Sequence, residues 1–232
     1  MRVGVFDSGV GGLTVLKKLI EKYPKNDYIY FGDTKNVPYG EKNKNELFDL
    51  SSKIVEFFIE NNIDLIVIAC GTISSNCYSE LKNKYSIPII DIISPTIKYV
   101  TMNNYDNIGV IATTRTIDSH IFRDLLKDIT VYEEACSEFV NLIENDLYDE
   151  IDIDKHLSKI DSDTIILGCT HYPLIKDKIK RNCIDMADNI VLPDNNGNSL
   201  RVLYFSKLDD KVIKNVNKII NKDIIIREKA SL

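Results

Sequence analysis

The sequence lacks any apolar run approaching the ~20 residues that a membrane-crossing helix requires. Its longest, at residues 65–70 and 164–167, are strand-sized. Histidine is scarce, with three in 232 residues, and the five cysteines include no C-x-x-C pair. Zinc needs clustered Cys and His ligands, and Cys169-Thr170-His171 alone cannot supply a tetrahedral set, so no metal is expected. An odd cysteine count in a reducing compartment argues against a disulfide framework. Basic charge is not in excess: 29 Lys plus Arg face 35 Asp plus Glu, a net charge of −6. That balance excludes an electrostatic nucleic-acid binder and a partner of anionic membranes. The opening residues, Met1-Arg2-Val3-Gly4-Val5, enter a strand at once without a signal-peptide core, so a cytoplasmic location is expected.

What is present belongs to a folded α/β protein. Hydrophobic residues make up 44% and charged residues 28%, and Ile, Leu and Val recur throughout. The length fits one large domain or two small ones. Short β-branched runs alternate with longer amphipathic segments, the pattern of mainly parallel sheets. Strands are expected at 3–6, 28–32, 65–69, 87–90, 108–112 and 164–168, and helices at 13–22, 45–60 and 74–84. The tail, 211–226, mixes helical and strand-like spacing, and Pro95 marks a boundary. A weak internal repeat adds to this. Val3-Gly4-Val5-Phe6-Asp7-Ser8 parallels Ile108-Gly109-Val110-Ile111-Ala112-Thr113, and Ile66–Cys70 parallels Ile165–Cys169. Gly4 to Cys70 is 66 residues and Gly109 to Cys169 is 60, as two related halves would give.

In parallel α/β sheets, ligands bind beyond the carboxyl ends of the strands. Cys70 and Cys169 both stand there, each followed by a small or hydroxyl residue and helix-prone sequence. A helix N-terminus offers free N–H groups and a positive dipole end, which is expected to lower a thiol's pKa and also suits a carboxylate ligand. Cys77, Cys136 and Cys183 lack that setting and read as small buried hydrophobes. Asp7-Ser8-Gly9-Val10-Gly11-Gly12 follows the first strand but is neither G-x-G-x-x-G nor a P-loop. A carboxylate at that strand end is placed to handle a proton in the crevice.

Four blocks carry a resemblance: Phe6-Asp7-Ser8-Gly9-Val10-Gly11-Gly12-Leu13-Thr14; Gly32-Asp33-Thr34 with Val37-Pro38-Tyr39-Gly40; Ala69-Cys70-Gly71-Thr72; and Gly168-Cys169-Thr170-His171-Tyr172-Pro173-Leu174. In order and spacing they resemble the signature blocks of the glutamate racemase family. The resemblance implies two similar α/β domains related by pseudo-symmetry, with the active site in the cleft between them. Residues 1–94 plus 195–232 would form the first domain and 95–194 the second. It implies a cofactor-independent racemase for L- and D-glutamate that supplies peptidoglycan. Cys70 would take the proton from the D-enantiomer and Cys169 from the L-enantiomer, assisted by Asp7 and His171, with Glu144 supporting His171. Substrate contacts would come from Asp7, Ser8, Pro38, Tyr39, Gly40, Cys70, Gly71, Thr72, Thr113, Thr116, Cys169, Thr170 and His171. The partner implied is a small-molecule substrate, and a second copy of the chain fits the family.

Few Lys or Arg occur in these blocks, so neutral donors and helix ends must meet the substrate's carboxylates; Lys35 and Arg115 are unassigned candidates. Gly71 stands where the family usually has Asn. The missing side chain is expected to leave the substrate's polar groups to water or another residue and to loosen the loop presenting Cys70. Restoring it with Gly71→Asn is then expected to lower KM. An aspartate racemase or a degenerate binding protein are the alternatives to a glutamate racemase.

Overall fold

The computed structural model describes residues 1–193, 198–220 and 224–230. The chain builds two α/β domains, each on a parallel sheet. Strands β1 (Arg2–Asp7), β2 (Asp27–Gly32), β3 (Leu65–Ile68) and β4 (Ile89–Asp91) alternate with helices α1 (Leu13–Lys22), α2 (Lys44–Glu60) and α3 (Gly71–Lys84). Helix α4 (Ile93–Met102) leads into the second domain. There β5 (Asn107–Ala112), α5 (Thr114–Asp118), α6 (Ile121–Leu125), β6 (Thr130–Ala135), α7 (Glu138–Glu144), α8 (Ile153–Leu157), β7 (Thr164–Leu167) and β8 (Asn182–Asp185) follow. The chain then returns to the first sheet with β9 (Arg201–Phe205), α9 (Asp210–Ile219) and β10 (Ile225–Glu228).

The first sheet runs β10-β9-β2-β1-β3-β4 and the second β6-β5-β7-β8, with every pairing parallel. The order β2-β1-β3-β4 in one sheet repeats as β6-β5-β7-β8 in the other. The sequence repeat is therefore structural: β1 matches β5, and β3 matches β7. Parallel sheets are covered on both faces, which is why Leu65–Ile68 and Thr164–Leu167 are apolar without alternation and wholly buried. Helix α2 begins with a capping box, the Asn43 side chain accepting from the Glu46 N–H at 3.0 Å while the Glu46 carboxylate accepts from the Asn43 N–H at 2.9 Å. Pro95 sits in the first turn of α4, where its missing N–H removes no helical bond.

One continuous core joins the facing sides of both sheets: Val3, Val5 and Tyr30 from the first, Ile108, Val110 and Ile166 from the second, with Leu16 of α1 and Val100 of α4 between them. The outer faces pack separately, under α2 and α3 in the first domain and under Phe139 and Tyr172 in the second. Polar contacts cross the junction as well. Lys18 of α1 pairs with Asp185 at 2.7 Å, and the Thr14 hydroxyl donates to the Thr170 carbonyl at 2.9 Å. Helix α9, which packs against α1, adds further contacts: Lys214 and Lys218 pair with Asp146, and the Asn215 amide donates to the Glu144 carbonyl at 3.3 Å. The ambiguous tail thus resolves into one helix and one edge strand. The expected domain boundary at 194–195 lies outside the described residues. Among the described residues no helix is long and apolar enough to cross a membrane.

Candidate active site

The carboxyl ends of β1, β3, β5 and β7 converge on a cavity of about 690 Å³. From the first domain it is lined by Ser8, Gly9, Pro38, Tyr39, Gly40, Cys70, Gly71 and Thr72, and from the second by Thr113, Glu144, Cys169, Thr170 and His171. Two thiols, one from each domain, therefore open on the same space. Each is almost fully buried, Cys70 at 5% and Cys169 at 8% exposure.

Asp7 sits beneath this wall rather than in it and is completely buried. Its Oδ2 accepts from the N–H groups of Gly9 at 3.1 Å and Gly12 at 3.0 Å, which folds the glycine loop around the carboxylate. A Cβ on Gly12 would lie 2.4 Å from that of Asp7, so glycine is required there for space. The Thr170 hydroxyl reaches Asp7 Oδ1 at 3.4 Å from the other domain. Burial raises the Asp7 pKa, against His171's charge and those hydrogen bonds. Asp7 thus braces the loop that carries Ser8 into the cavity, where the sequence suggested a carboxylate facing the crevice. Asp33 organises the neighbouring wall: it accepts from the Tyr39 hydroxyl at 2.6 Å and the Ser206 hydroxyl at 2.6 Å, fixing the segment with Pro38 and Gly40.

Cys70 caps α3 as expected, yet its thiol is pushed up to about 12 rather than lowered. Burial dominates, the negative charge of Asp7 adds to it, and the Ile73 N–H of the helix end offsets only part. Ser8 lies within 3.8 Å of its sulfur. The second thiol has a different setting. Cys169 Sγ is 3.7 Å from His171 Nδ1, and His171 Nε2 is 3.0 Å from Glu144 Oε1. Burial by itself would lower the His171 pKa, but the hydrogen bonds to Cys169 and Glu144 outweigh it and raise it to about 10. Burial alone would likewise raise Glu144, and the His171 bond reverses this.

The His171 cation carries a stability consequence. Its folded pKa of about 10 stands above the ordinary histidine value near 6.5, so its contribution is complete below pH ~6.5 and is lost as pH rises through about 10. The urea midpoint of the parent should exceed that of His171→Asn most at pH 6, with the gap narrowing steadily to pH 10. A gap that widens with pH contradicts a charged His171.

Thr116 does not reach the cavity. It is buried behind Thr113, their hydroxyls 3.0 Å apart, and Thr113 in turn meets the Thr72 hydroxyl at 3.0 Å across the domains. Its role is to orient Thr113. Lys35 and Arg115 are not among the lining residues, whereas Lys211 of α9 is, 3.4 Å from Glu144 Oε2. Sequence reading did not assign Glu138 and Asn141, which share α7 with Glu144, and missed Lys211, which lies outside every block and reaches the site only through α9 at the domain junction. Gly71 does not loosen its loop: it starts α3 and packs against the second domain. Among the described residues no group of three His, Cys, Asp or Glu side chains is arranged to hold a metal ion.

Paired parallel-sheet domains closing on a cavity define a two-domain α/β enzyme with its site at the junction. The sequence profile of the family "Asp/Glu/Hydantoin racemase" matches residues 12–191. The glutamate racemase of Fusobacterium nucleatum is 45% identical over 206 residues, 82% of this chain and 78% of that one. Glutamate racemase from Francisella tularensis, solved in complex with D-glutamate, superposes with a TM-score of 0.86 at 28% identity, covering 98% of this chain and 97% of the other. That from Aquifex pyrophilus gives a TM-score of 0.83 at 33% identity, with 98% of each chain covered. The chain belongs to the glutamate racemases of the Asp/Glu/hydantoin racemase family.

Proposed function

We propose that this protein interconverts L- and D-glutamate by a two-base, cofactor-independent route in which Cys70 and Cys169 work opposite faces of the substrate. The observation that carries the reading is the pair of thiols, supplied by equivalent strand ends of two repeated domains, on one cavity. The activity of the relatives, glutamate racemases by name, supports the choice of substrate. Racemisation removes a weakly acidic Cα proton from one face and returns another to the opposite face. One base per face does this without turning the substrate over.

For L-glutamate, Cys169, beside the His171–Glu144 pair, would take the proton, and Cys70 would deliver one as a neutral thiol. The D-enantiomer runs the same steps in reverse. Backbone N–H groups at the α3 end and the hydroxyls of Ser8, Thr72, Thr113 and Thr170 would hold the carboxylates, and Lys211 would moderate the acidic wall formed with Glu138 and Glu144. D-glutamate made this way would serve peptidoglycan synthesis in the cytoplasm. The division into 1–94 plus 195–232 and 95–194 is proposed as the domain boundary.

The test is circular dichroism of L-glutamate, L-aspartate and L-alanine solutions with purified protein and no pyridoxal phosphate. The glutamate signal should decay to zero while the others persist. Decay of the aspartate signal alone would transfer the assignment to aspartate, and no decay at all would leave a binding protein.

A further inference from the structure

Helix α9 lies between β9 and β10, both strands of the first sheet, yet one face of it holds the end of α7 in the second domain. Lys214 and Lys218 pair with Asp146, and the Asn215 amide donates to the Glu144 carbonyl at 3.3 Å. Lys211, one turn before Asn215, meets the Glu144 side chain itself, its Nζ 3.4 Å from Oε2. Positions three and four apart share a helix face, so α9 takes hold of Glu144 by backbone and carboxylate together.

The two oxygens of that carboxylate have separate partners. Oε1 lies 3.0 Å from His171 Nε2, and His171 Nδ1 lies 3.7 Å from Cys169 Sγ. Oε2 has Lys211. The last torsion of a glutamate is broad and roughly two-fold, so a carboxylate held at one oxygen can swing where one held at both cannot. A chain of contacts thus starts in the first domain at Lys211 and ends at the thiol of the second. Lys211 is also the one lysine or arginine among the described residues that line the cavity. Its side chain is 45% exposed, so the pair adds little to stability. What it can do is aim the carboxylate.

We propose that Lys211 is a positioning residue for Cys169: from the first domain it fixes the Glu144 carboxylate in the orientation that meets His171, and so keeps the imidazole aimed at the sulfur. The inference rests on the two-thiol reading above and deepens it. The first domain supplies Cys70 directly and, through α9, also sets the surroundings of the opposite base.

The experiment measures racemisation from each enantiomer of glutamate, with protium or deuterium at Cα, for the parent, Lys211→Met, Lys211→Arg and Lys214→Met. The enantiomers are equal in free energy, so kcat/KM must fall alike in both directions. In Lys211→Met it should fall by about fivefold, the upper end for a partly exposed ion pair. The Cα isotope effect on kcat/KM tells which thiol has been slowed. Abstraction by Cys169 becomes more limiting, so the effect should rise from L-glutamate and shrink from D-glutamate. Lys211→Arg keeps the charge and should restore both values. Lys214→Met loses an Asp146 pair and leaves Glu144 its partners, so it should match the parent. Isotope effects unchanged in Lys211→Met overturn the inference even if the rate falls, since general loosening slows both thiols alike. So does the same shift in Lys214→Met, which would trace it to the grip between domains and not to Glu144. Failure of the two-thiol reading shows separately, as protium retained in the first product of the parent in D₂O, and takes the inference with it.

Discussion

Cys70→Ala should stop racemisation, and Cys169→Ala should do the same, each lowering kcat in both directions by on the order of a thousandfold or more. On the proposed two-base route neither thiol would stand in for the other, because they line one cavity from different domains and would serve opposite faces of the substrate. The remaining cysteines supply the control. Cys77 and Cys136 are fully buried in the separate outer cores of the two domains, and Cys183 is partly exposed at an edge strand. Burial holds the thiols of Cys77 and Cys136 well above the ordinary range, as befits groups that stay neutral. Alanine at any of these three positions should change kcat by no more than a few-fold, with its effect appearing in the urea midpoint instead. Turnover near the parent rate in Cys70→Ala or Cys169→Ala would remove that residue from the reaction.

The asymmetry between the two thiols was not legible in the sequence, although their positions were. Both follow apolar strands and precede helix-forming residues, so spacing placed them at equivalent sites. Their surroundings depend on what other parts of the chain bring alongside. Asp7 adds negative charge near Cys70, while α7 delivers Glu144 to His171 beside Cys169. The helix end behind Cys70 acts in the expected direction and is outweighed by burial.

The same distinction governs the fold. Central strands β1, β3, β5 and β7 announced themselves as unbroken apolar runs because they are covered on both faces. Of the edge strands only β4 was expected, at 87–90. Thr130–Ala135 carries Glu133 and Glu134, and its residues are half-buried or exposed; Asn182–Asp185 is four residues long. Strand β9 pairs with β2 across a separation that periodicity does not encode: Tyr28 is in register with Arg201. Gly71 is the sharpest case. From sequence it is a side chain missing from a binding site, and in the structure it starts α3 against the Gly168 carbonyl of the other domain.

Run from L-glutamate in D₂O, the first D-glutamate formed should carry deuterium at Cα almost completely, while the L-glutamate left behind stays largely protiated. Two bases on opposite faces deliver a proton other than the one removed. On the proposed route the delivering group is Cys70, which burial pushes up to about 12 and so keeps a thiol at neutral pH, and which lines the cavity where it would exchange with solvent before substrate binds. The accepting group on that route is Cys169, which would retain the substrate's protium until product leaves. Starting from D-glutamate exchanges these roles and should give deuterated L-glutamate with the same completeness. A single mobile base would carry the original proton across and leave protium in the product. Proton NMR of the Cα signals separates the cases if read before about a tenth of the substrate has turned over, since later the product re-enters and is washed with solvent on both faces. Substantial protium in that first product would reject Cys70 and Cys169 as a pair, whichever amino acid proves to be the substrate.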